Sequence, residues 1–350
     1  QDQPKLSGSY NRASEAGSIF NVNAAYQIFR RRESVATDRT QTGQSDIFEL
    51  YDSRENEWNA EFSADYDFAL GGGRLKLIGL QRFEHSPVSD FFGQTFTDGV
   101  TAPNGSRFNR VTDEGESIFR AEYGWKTKGG TDLGFSVEGA YNFLDNEGAL
   151  AVLDSQGIFQ PVALTNANSK VTEYRGEFIG SYGRPLLENL SLQATLGGEY
   201  SKISQSGAAG QSRSFVRPKG SVSLAWRPQD DLDVSLKLER SVGQLNFFDF
   251  VESVDVSQNN GNAGNPELVP PQSWRAELEA TQKLGPWGSV TVNIYGEKFG
   301  DIVDSIPITA TTEARGNLDS AASYGVALVT SILLDPIGWA GAKLDFEGEV

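Results

Sequence analysis

The sequence predicts an all-β fold, an antiparallel β-barrel that crosses a membrane with its strands. Three observations indicate this fold. Apolar and polar residues alternate with a period of two along most of the chain, short connections alternate with long ones, and no apolar run reaches the roughly 18 to 20 residues that a membrane helix needs. Soluble β-sandwiches do not usually sort their connections by length, whereas transmembrane β-barrels do.

The alternation is clearest in residues 57–68, where one face carries aromatic residues and alanines and the other carries mostly acidic residues. The same period of two recurs at 232–239, 274–281 and 290–297. Taken along the whole chain, the pattern predicts about fourteen strands, near 4–11, 18–31, 56–69, 73–86, 115–127, 131–144, 171–183, 189–204, 214–227, 231–243, 272–284, 288–301, 318–332 and 339–350.

The connections between these strands alternate strictly in length. The short ones are rich in Gly, Pro and Asp, as tight turns require, and lie near 12–17, 70–72, 128–130, 184–188, 228–230, 285–287 and 333–338. The long ones lie near 32–55, 87–114, 145–170, 205–213, 244–271 and 302–317. Outer-membrane barrels have short periplasmic turns and longer extracellular loops, so we expect the long connections outside the cell.

Composition narrows the function. The chain has 350 residues and a net charge of −17, which makes nucleic acid an unfavourable partner because its binding requires a basic surface. There is no cysteine, so thiolate chemistry and disulfides are excluded. There is no methionine either, and the final residues stop inside an alternating run. We therefore expect an internal piece of a longer chain.

Two motifs carry a resemblance to a known family. Residues 215–232 end in Leu-Ala-Trp-Arg-Pro-Gln-Asp-Asp-Leu, and residues 264–271 read Gly-Asn-Pro-Glu-Leu-Val-Pro-Pro. The first resembles a strand and turn of TonB-dependent outer-membrane receptors, with the pattern Leu-x-Tyr/Trp-Arg-Pro-x-Asp-x-Leu. The second is similar to that family's Gly-Asn-Pro-x-Leu-x-Pro-Glu passage, from which it departs at Pro271.

The resemblance implies a barrel of 22 strands whose lumen is plugged by an N-terminal domain. Residues 1–350 would then all belong to one barrel domain, without the plug, the TonB box or the C-terminal strands. The implied function is TonB-energised uptake of a scarce ligand, an iron–siderophore, cobalamin or an oligosaccharide, across the outer membrane of a Gram-negative bacterium. The implied partners are TonB, acting through the plug, the lipid of the outer membrane and the ligand.

Other functions stay open at this stage. A passive porin-like channel would have the same polar wall, and a soluble secreted β-protein would lack an apolar belt. Aromatic residues near strand ends favour a transmembrane barrel, because such rings form girdles at both membrane interfaces of a barrel. The acidic faces carry nearby cations and predict an ion-paired, hydrated lumen wall; a cation-lined transport path is the alternative.

Two long loops combine aromatic rings with amides and acids, a combination that suits ligand capture by stacking and hydrogen bonding. Packing of the loops on each other explains it equally well. The candidate ligand-binding residues are Phe91, Phe92, Asn104, Phe247, Phe248, Asp249, Asn259 and Asn260.

Catalysis and metal binding have weaker signals. His85 is the only histidine and Ser86 follows it, so an outer-membrane hydrolase is a candidate. A catalytic base needs a third group to orient it, and the sequence indicates none. Acidic residues in the loops show no regular calcium-ligand spacing. We therefore predict a protein that is not an enzyme, with no catalytic residue, cofactor or metal assigned.

Overall fold

The computed structural model describes residues 1–40, 42–207, 210–258 and 260–350, which are almost entirely β-structure. The long strands are β1 (Lys5–Ala13), β2 (Ile19–Arg39), β3 (Ile47–Leu70), β4 (Gly73–Phe96), β5 (Asn104–Lys126), β6 (Asp132–Leu153), β8 (Ser169–Leu187), β9 (Leu190–Gln205), β10 (Ser212–Gln229), β11 (Leu232–Val242), β14 (Gln272–Lys283), β15 (Gly288–Pro307), β16 (Thr312–Leu333) and β17 (Lys343–Glu349).

Three short strands lie inside connections, β7 (Phe159–Val162), β12 (Ser253–Asp255) and β13 (Asn260–Asn262). Single 3₁₀ turns span Phe247–Phe250, Gly285–Trp287 and Asp335–Ile337. Among the described residues, no helix is both long and apolar enough to cross a bilayer.

The long strands form one antiparallel meander in which each pairs with the next along the chain. Within the described part of the chain, β1 pairs only with β2 and β17 only with β16, so the sheet is open at these two edges. Fourteen strands in sequential order confirm the predicted all-β fold, a fragment of an antiparallel barrel. We call the end that carries the connections 71–72 and 230–231 the turn end, and the opposite end the loop end.

One face of the sheet carries an apolar belt across the middle of the strands. Leu236 on β11 lies opposite Leu278 on β14, and Ile294 and Val326 continue the same row across β15 and β16. These four side chains are 41 to 48% exposed, with no protein packed over them in the described residues. A wide apolar surface of this kind is unfavourable in water but is what a bilayer covers, so we call this the outward face.

Aromatic rings border the outward face at both ends, as predicted. Near the turn end, the rings of Tyr66 and Phe68 stack at 4.9 Å, and those of Tyr123 and Trp125 lie 5.5 Å apart. A second row borders the loop end, with ring separations of 4.9 to 6.3 Å, and includes Tyr26, Trp58, Phe83, Phe143, Tyr141 and Tyr174. The two rows mark the two membrane interfaces.

The inward face carries charge that is internally paired. Glu138 accepts hydrogen bonds from Arg120 Nε at 2.7 Å and from Arg175 at 2.9 Å. Arg275 bridges Glu277 and Glu297 at 3.1 and 3.2 Å. Further pairs join Lys219 to Glu199 at 2.9 Å and to Glu177. The wall thus has the ion-paired character that the sequence predicts.

The strands extend farther toward the loop end than predicted. Much of the predicted loops 32–55, 87–114 and 302–317 is strand, and the connections that remain there are 40–46, 97–103 and 308–311. Past the membrane interface both faces of a strand are free of lipid, so the alternation fades while the backbone hydrogen bonds continue. The long connection 244–271 is confirmed.

Candidate functional site

A long segment, residues 243–271, lies over the inward face at the loop end; we call it the mouth loop. It follows β11 and contains the 3₁₀ turn Phe247–Phe250, whose first turn is capped where Asn246 Oδ1 accepts the backbone N–H of Phe248 at 3.0 Å. The turn directs Phe250 and Val251 into the wall, where they are 2% and 1% exposed. These two residues therefore dock the loop on the wall.

The docking surface is an apolar cluster on the inward face of β6, β8 and β9. Phe250 packs there with Leu144, Val171 and Ile203, and Leu268 completes the cluster. These wall residues lie just beyond the membrane interface, and they are apolar where the same face is charged within the bilayer. The side chain of Gln205 also donates a hydrogen bond to the carbonyl of Phe250 at 2.9 Å.

The other side of the mouth loop is fixed to β16. Asn265 Nδ2 donates to the carbonyl of Arg315 at 2.8 Å, and the guanidinium of Arg315 lies 3.7 Å from the Asp249 carboxylate. The short strand β13 adds a parallel pairing between Gly261 and Thr312. Asn317 exchanges two hydrogen bonds with the backbone of Val269, both 2.8 Å long. The loop therefore spans from β6–β9 to β16.

A polar cavity of about 280 Å³ lies between the mouth loop and the wall. Strand β5 contributes Arg110 to it, and β16 contributes Arg315. Its lining consists of Arg110, Phe248, Asp249, Ser253, Asn262, Ser305, Glu313, Ala314 and Arg315. We call this space the mouth cavity. Two guanidinium groups, two carboxylates, an aromatic ring and neutral hydrogen-bonding groups face one volume, which suits a polar ligand with an anionic group.

Arg110 is the least compensated group of the cavity. Its guanidinium carbon lies 5.2 Å from the centre of the Phe248 ring, a cation–π geometry. Its buried Nε–H meets no acceptor in the part of the chain that the structure describes. Burial lowers the pKa of Arg110, against the opposing influence of Asp90 and other acids, yet arginine stays protonated at neutral pH. A buried donor without a partner is costly, and an acceptor group of a ligand would satisfy it.

Asp249 balances this charge from the loop side. Burial raises the pKa of its carboxyl group, and the neighbouring Arg315 acts in the opposite direction. The Asp249 carboxylate lies 3.7 Å from the Arg315 guanidinium, and a cation this close favours the ionised form. The cavity therefore offers an acceptor as well as cationic donors.

The structure brings together only part of the predicted site. Phe248 and Asp249 line the mouth cavity, and Phe247 packs against the cluster beneath it, 6.4 Å from the ring of Phe250. Asn260 begins β13 beside the cavity residue Asn262, whereas Asn259 lies outside the described residues. Arg110 and Arg315 were not predicted, because residues so far apart in the sequence meet only once the loop has docked.

The remaining predicted residues, Phe91, Phe92 and Asn104, do not lie on a loop. Phe91 and Phe92 belong to β4, and Asn104 begins β5 opposite Gln94. Successive strand residues face opposite sides, so Phe91 points outward, where its ring lies 6.4 Å from that of Phe159 in β7. None of the three lines the mouth cavity.

His85 also lies within β4 and not at the start of a loop. Its Nδ1 lies 2.7 Å from the carboxylate of Asp113 on β5, so a partner that orients the ring does exist. His85 shares the outward face with Trp58, however, while Ser86 is buried on the opposite face. Histidine and serine therefore cannot act on one substrate atom, and the geometry gives no triad.

Comparison with solved structures finds several that share this fold. The hemophore receptor HasR of Serratia marcescens, solved with its hemophore HasA and heme, superposes with a TM-score of 0.50 at 11% identity, covering 99% of this chain and 63% of that chain. The copper transporter OprC gives 0.50 at 12% identity, with 99% and 61% covered. FpvA of P. aeruginosa, bound to heterologous pyoverdines, gives 0.50 at 12% identity, with 96% and 52% covered.

At such identities these likenesses show the fold alone, and the chain spans roughly half to two thirds of the length of the three structures. No curated protein sequence matches the chain. The family model described as TonB dependent receptor-like, beta-barrel, matches residues 5–346. Since that match covers nearly the whole chain, the protein belongs to the TonB-dependent receptors and carries strands of their β-barrel.

Proposed function

We propose that the chain is part of the barrel of an outer-membrane receptor that takes up a scarce ligand with energy delivered through TonB. Membership of the TonB-dependent receptors supports this function, and the structures similar to this chain include a hemophore receptor, a copper transporter and FpvA bound to pyoverdines. The ligand class proposed is an iron–siderophore, cobalamin or an oligosaccharide. TonB would act through a plug domain outside residues 1–350, and the loop end would face the cell exterior.

The mouth cavity is the observation that carries the proposal. It lies at the loop end on the inward side, and it presents Arg110, Arg315 and Asp249 beside the ring of Phe248. A ligand arriving from outside would reach this cavity before the membrane-spanning part of the lumen. The geometry favours a ligand with an acidic group that pairs with Arg110 and a flat group that stacks on Phe248.

The first experiment tests energised uptake in cells that carry the intact receptor. Uptake of a ferric siderophore, heme, cobalamin and an oligosaccharide is measured with and without TonB. We expect uptake of one of these ligands to be lost when TonB is deleted. Uptake that continues unchanged supports a passive channel instead, a function that the ion-paired wall also permits.

The second experiment tests the cavity with a matched pair of variants. Arg110→Gln removes the guanidinium whose Nε–H meets no acceptor among the described residues. We expect ligand affinity to fall about tenfold or more, since a charge-assisted hydrogen bond contributes about 1.5–3 kcal/mol. Arg107→Gln is the control, because Arg107 lies on the same strand over the ring of Phe159 at 4.7 Å but faces outward. Equal affinities for the two variants would place the ligand elsewhere.

We further propose that the protein has no enzymatic activity, in keeping with its family. His85→Ala should leave ligand uptake and binding unchanged, since His85 lies on the outward face. If the wild type hydrolyses a substrate and His85→Ala does not, the hypothesis of a hydrolase that uses His85 is supported instead.

A further inference from the structure

Strands β2 and β3 carry a group of arginines on the outward face at the loop end. The aromatic pair Tyr26 and Trp58 marks the end of the apolar belt here, with ring centres 6.0 Å apart. The next outward pair after Ile28 opposite Trp58 is Arg30 opposite Asn56, and the one after that is Arg32 opposite Arg54. The outward side chains thus change from aromatic to cationic within two successive outward pairs.

Arg32 and Arg54 are direct cross-strand neighbours with the same charge. Residues in this relation have Cβ atoms about 4.5–5.5 Å apart, and like charges so placed are destabilising without an anion between them. Asp52 supplies one carboxylate, at 2.9 Å from Arg54 and 3.4 Å from Arg32. Among the described residues Arg30 makes no ion pair with any carboxylate. Asp2 lies opposite Arg30 in the sheet, but among the described residues Asp52 supplies the one carboxylate within 4.0 Å of any of the three guanidinium groups.

The height of this cluster fits one partner. Arg30 lies two residues beyond the girdle pair Ile28–Trp58, and Arg32 and Arg54 lie four residues beyond it, about 7 and 14 Å along the tilted strands at a rise of about 3.4 Å per residue. Girdle aromatics lie at headgroup level, and long cationic side chains next to them extend toward the anionic groups of lipids. The side chains of Arg32 and Arg54 are 66% and 56% exposed, so they are free to do so.

We propose that Arg30, Arg32 and Arg54 form a binding site for the phosphate groups of outer-leaflet lipids. Guanidinium groups bind phosphate through paired N–H donors, and several arginines converging on one phosphate add geometric specificity. The site lets a chain with a net charge of −17 hold anionic lipid at its rim. This inference rests on the proposed orientation, in which the loop end faces outside.

The test uses the intact receptor in phosphatidylcholine vesicles that contain brominated phosphatidic acid, whose headgroup is a phosphate monoester. Quenching of tryptophan fluorescence reports how strongly this lipid is preferred over phosphatidylcholine. For Arg32→Gln/Arg54→Gln we expect the preference to fall about fivefold for each arginine removed. Added salt should weaken the wild-type preference, because exposed charges are screened.

The matched control is Arg31→Gln/Arg39→Gln. These arginines lie on the same strand and are 52% and 60% exposed, but they face inward, where each pairs with a glutamate. The control should keep the wild-type preference. Equal losses in both variants, or no loss in either, would overturn the proposal, as would displacement of the lipid by inorganic phosphate at equal concentration.

Two further measurements separate the possible failures. The melting temperature in detergent should be alike in both variants, so a folding defect is recognised as such. TonB-dependent uptake is measured in the same variants. If uptake persists while Arg32→Gln/Arg54→Gln leaves the lipid preference unchanged, only the proposed lipid site is wrong. If the wild type shows no TonB-dependent uptake, the proposed transport function is wrong, whatever the lipid preference.

Discussion

The membrane-spanning part of the strands and their extension beyond the loop-end girdle obey opposite rules. Within the span, Leu236 faces outward and Lys237 inward, whereas in the extension of β8 and β9 the outward residues Lys170 and Lys202 flank the inward Val171 and Ile203. Polarity inverts because lipid covers the outer face below the girdle, while water covers it above. The surroundings of each face therefore determine which of its residues are apolar. In the extension the mouth loop covers the apolar inward residues, just as lipid covers the apolar outward residues within the span.

The largest expected effect concerns the apolar inner face of the extension. Phe250→Ala removes the ring that docks the mouth loop, and large core substitutions of this kind cost about 3–5 kcal/mol. We expect faster amide hydrogen exchange in the mouth loop without loss of barrel stability. Val100→Ala is the control, because Val100 is 88% exposed on the connection between β4 and β5. Unchanged exchange in Phe250→Ala would mean that the loop is held by its polar contacts alone.

A second prediction sets the outer faces of the two parts against each other. Leu236→Arg places a charge within the apolar belt and should destabilise the barrel by about 2–4 kcal/mol near the midplane. Val111→Arg, on the outward face of the extension, should change stability by less than about 0.5 kcal/mol. Denaturant unfolding of the intact barrel in vesicles measures both. Similar values for the two would contradict the placement of the interface.

The smallest expected effect is on the pH dependence of loop docking. Burial raises the pKa of Asp249, so its ionised form is less favourable in the docked loop than in the free loop. Docking should therefore be strongest below the ordinary aspartate pKa of about 3.9 and weaken as pH rises through the higher pKa of the docked state. The ratio of exchange rates between wild type and Asp249→Asn, followed with pH, measures it. A ratio that changes in the opposite direction would show that Arg315 outweighs burial.

The sequence predicted the membrane-spanning part of the strands well and their extension poorly, because lipid faces the strands only within the span. Alternation at residues 57–68 is strong because lipid and lumen differ so much, so the strands, their order and their turns could be predicted. Phe91 and Phe92 are adjacent aromatics on opposite faces of β4, a pattern without period that resembles a loop. Only their backbone partners on β3 and β5 define them as strand residues.

The candidate site was predictable only where its residues are local in sequence. The aromatic and acidic composition of the mouth loop indicated Phe248 and Asp249. The arginines come from β5 and β16, and their approach depends on the loop crossing the interior. No local pattern encodes that crossing. Arg110 could be recognised as an inward-facing residue only once β5 was known to extend as far as residue 110.

The mouth loop closes on itself at its base, where the N–H of Gly243 donates to the carbonyl of Pro271 at 2.7 Å. Directly below, β11 and β14 pair in unbroken register from Val242 opposite Gln272 to Leu232 opposite Gln282. Insertions, deletions or substitutions between Gly243 and Pro271 therefore leave the register of β11 with β14 unchanged. The mouth loop can thus vary as a unit during evolution, whereas the cavity arginines Arg110 and Arg315 belong to the wall strands β5 and β16.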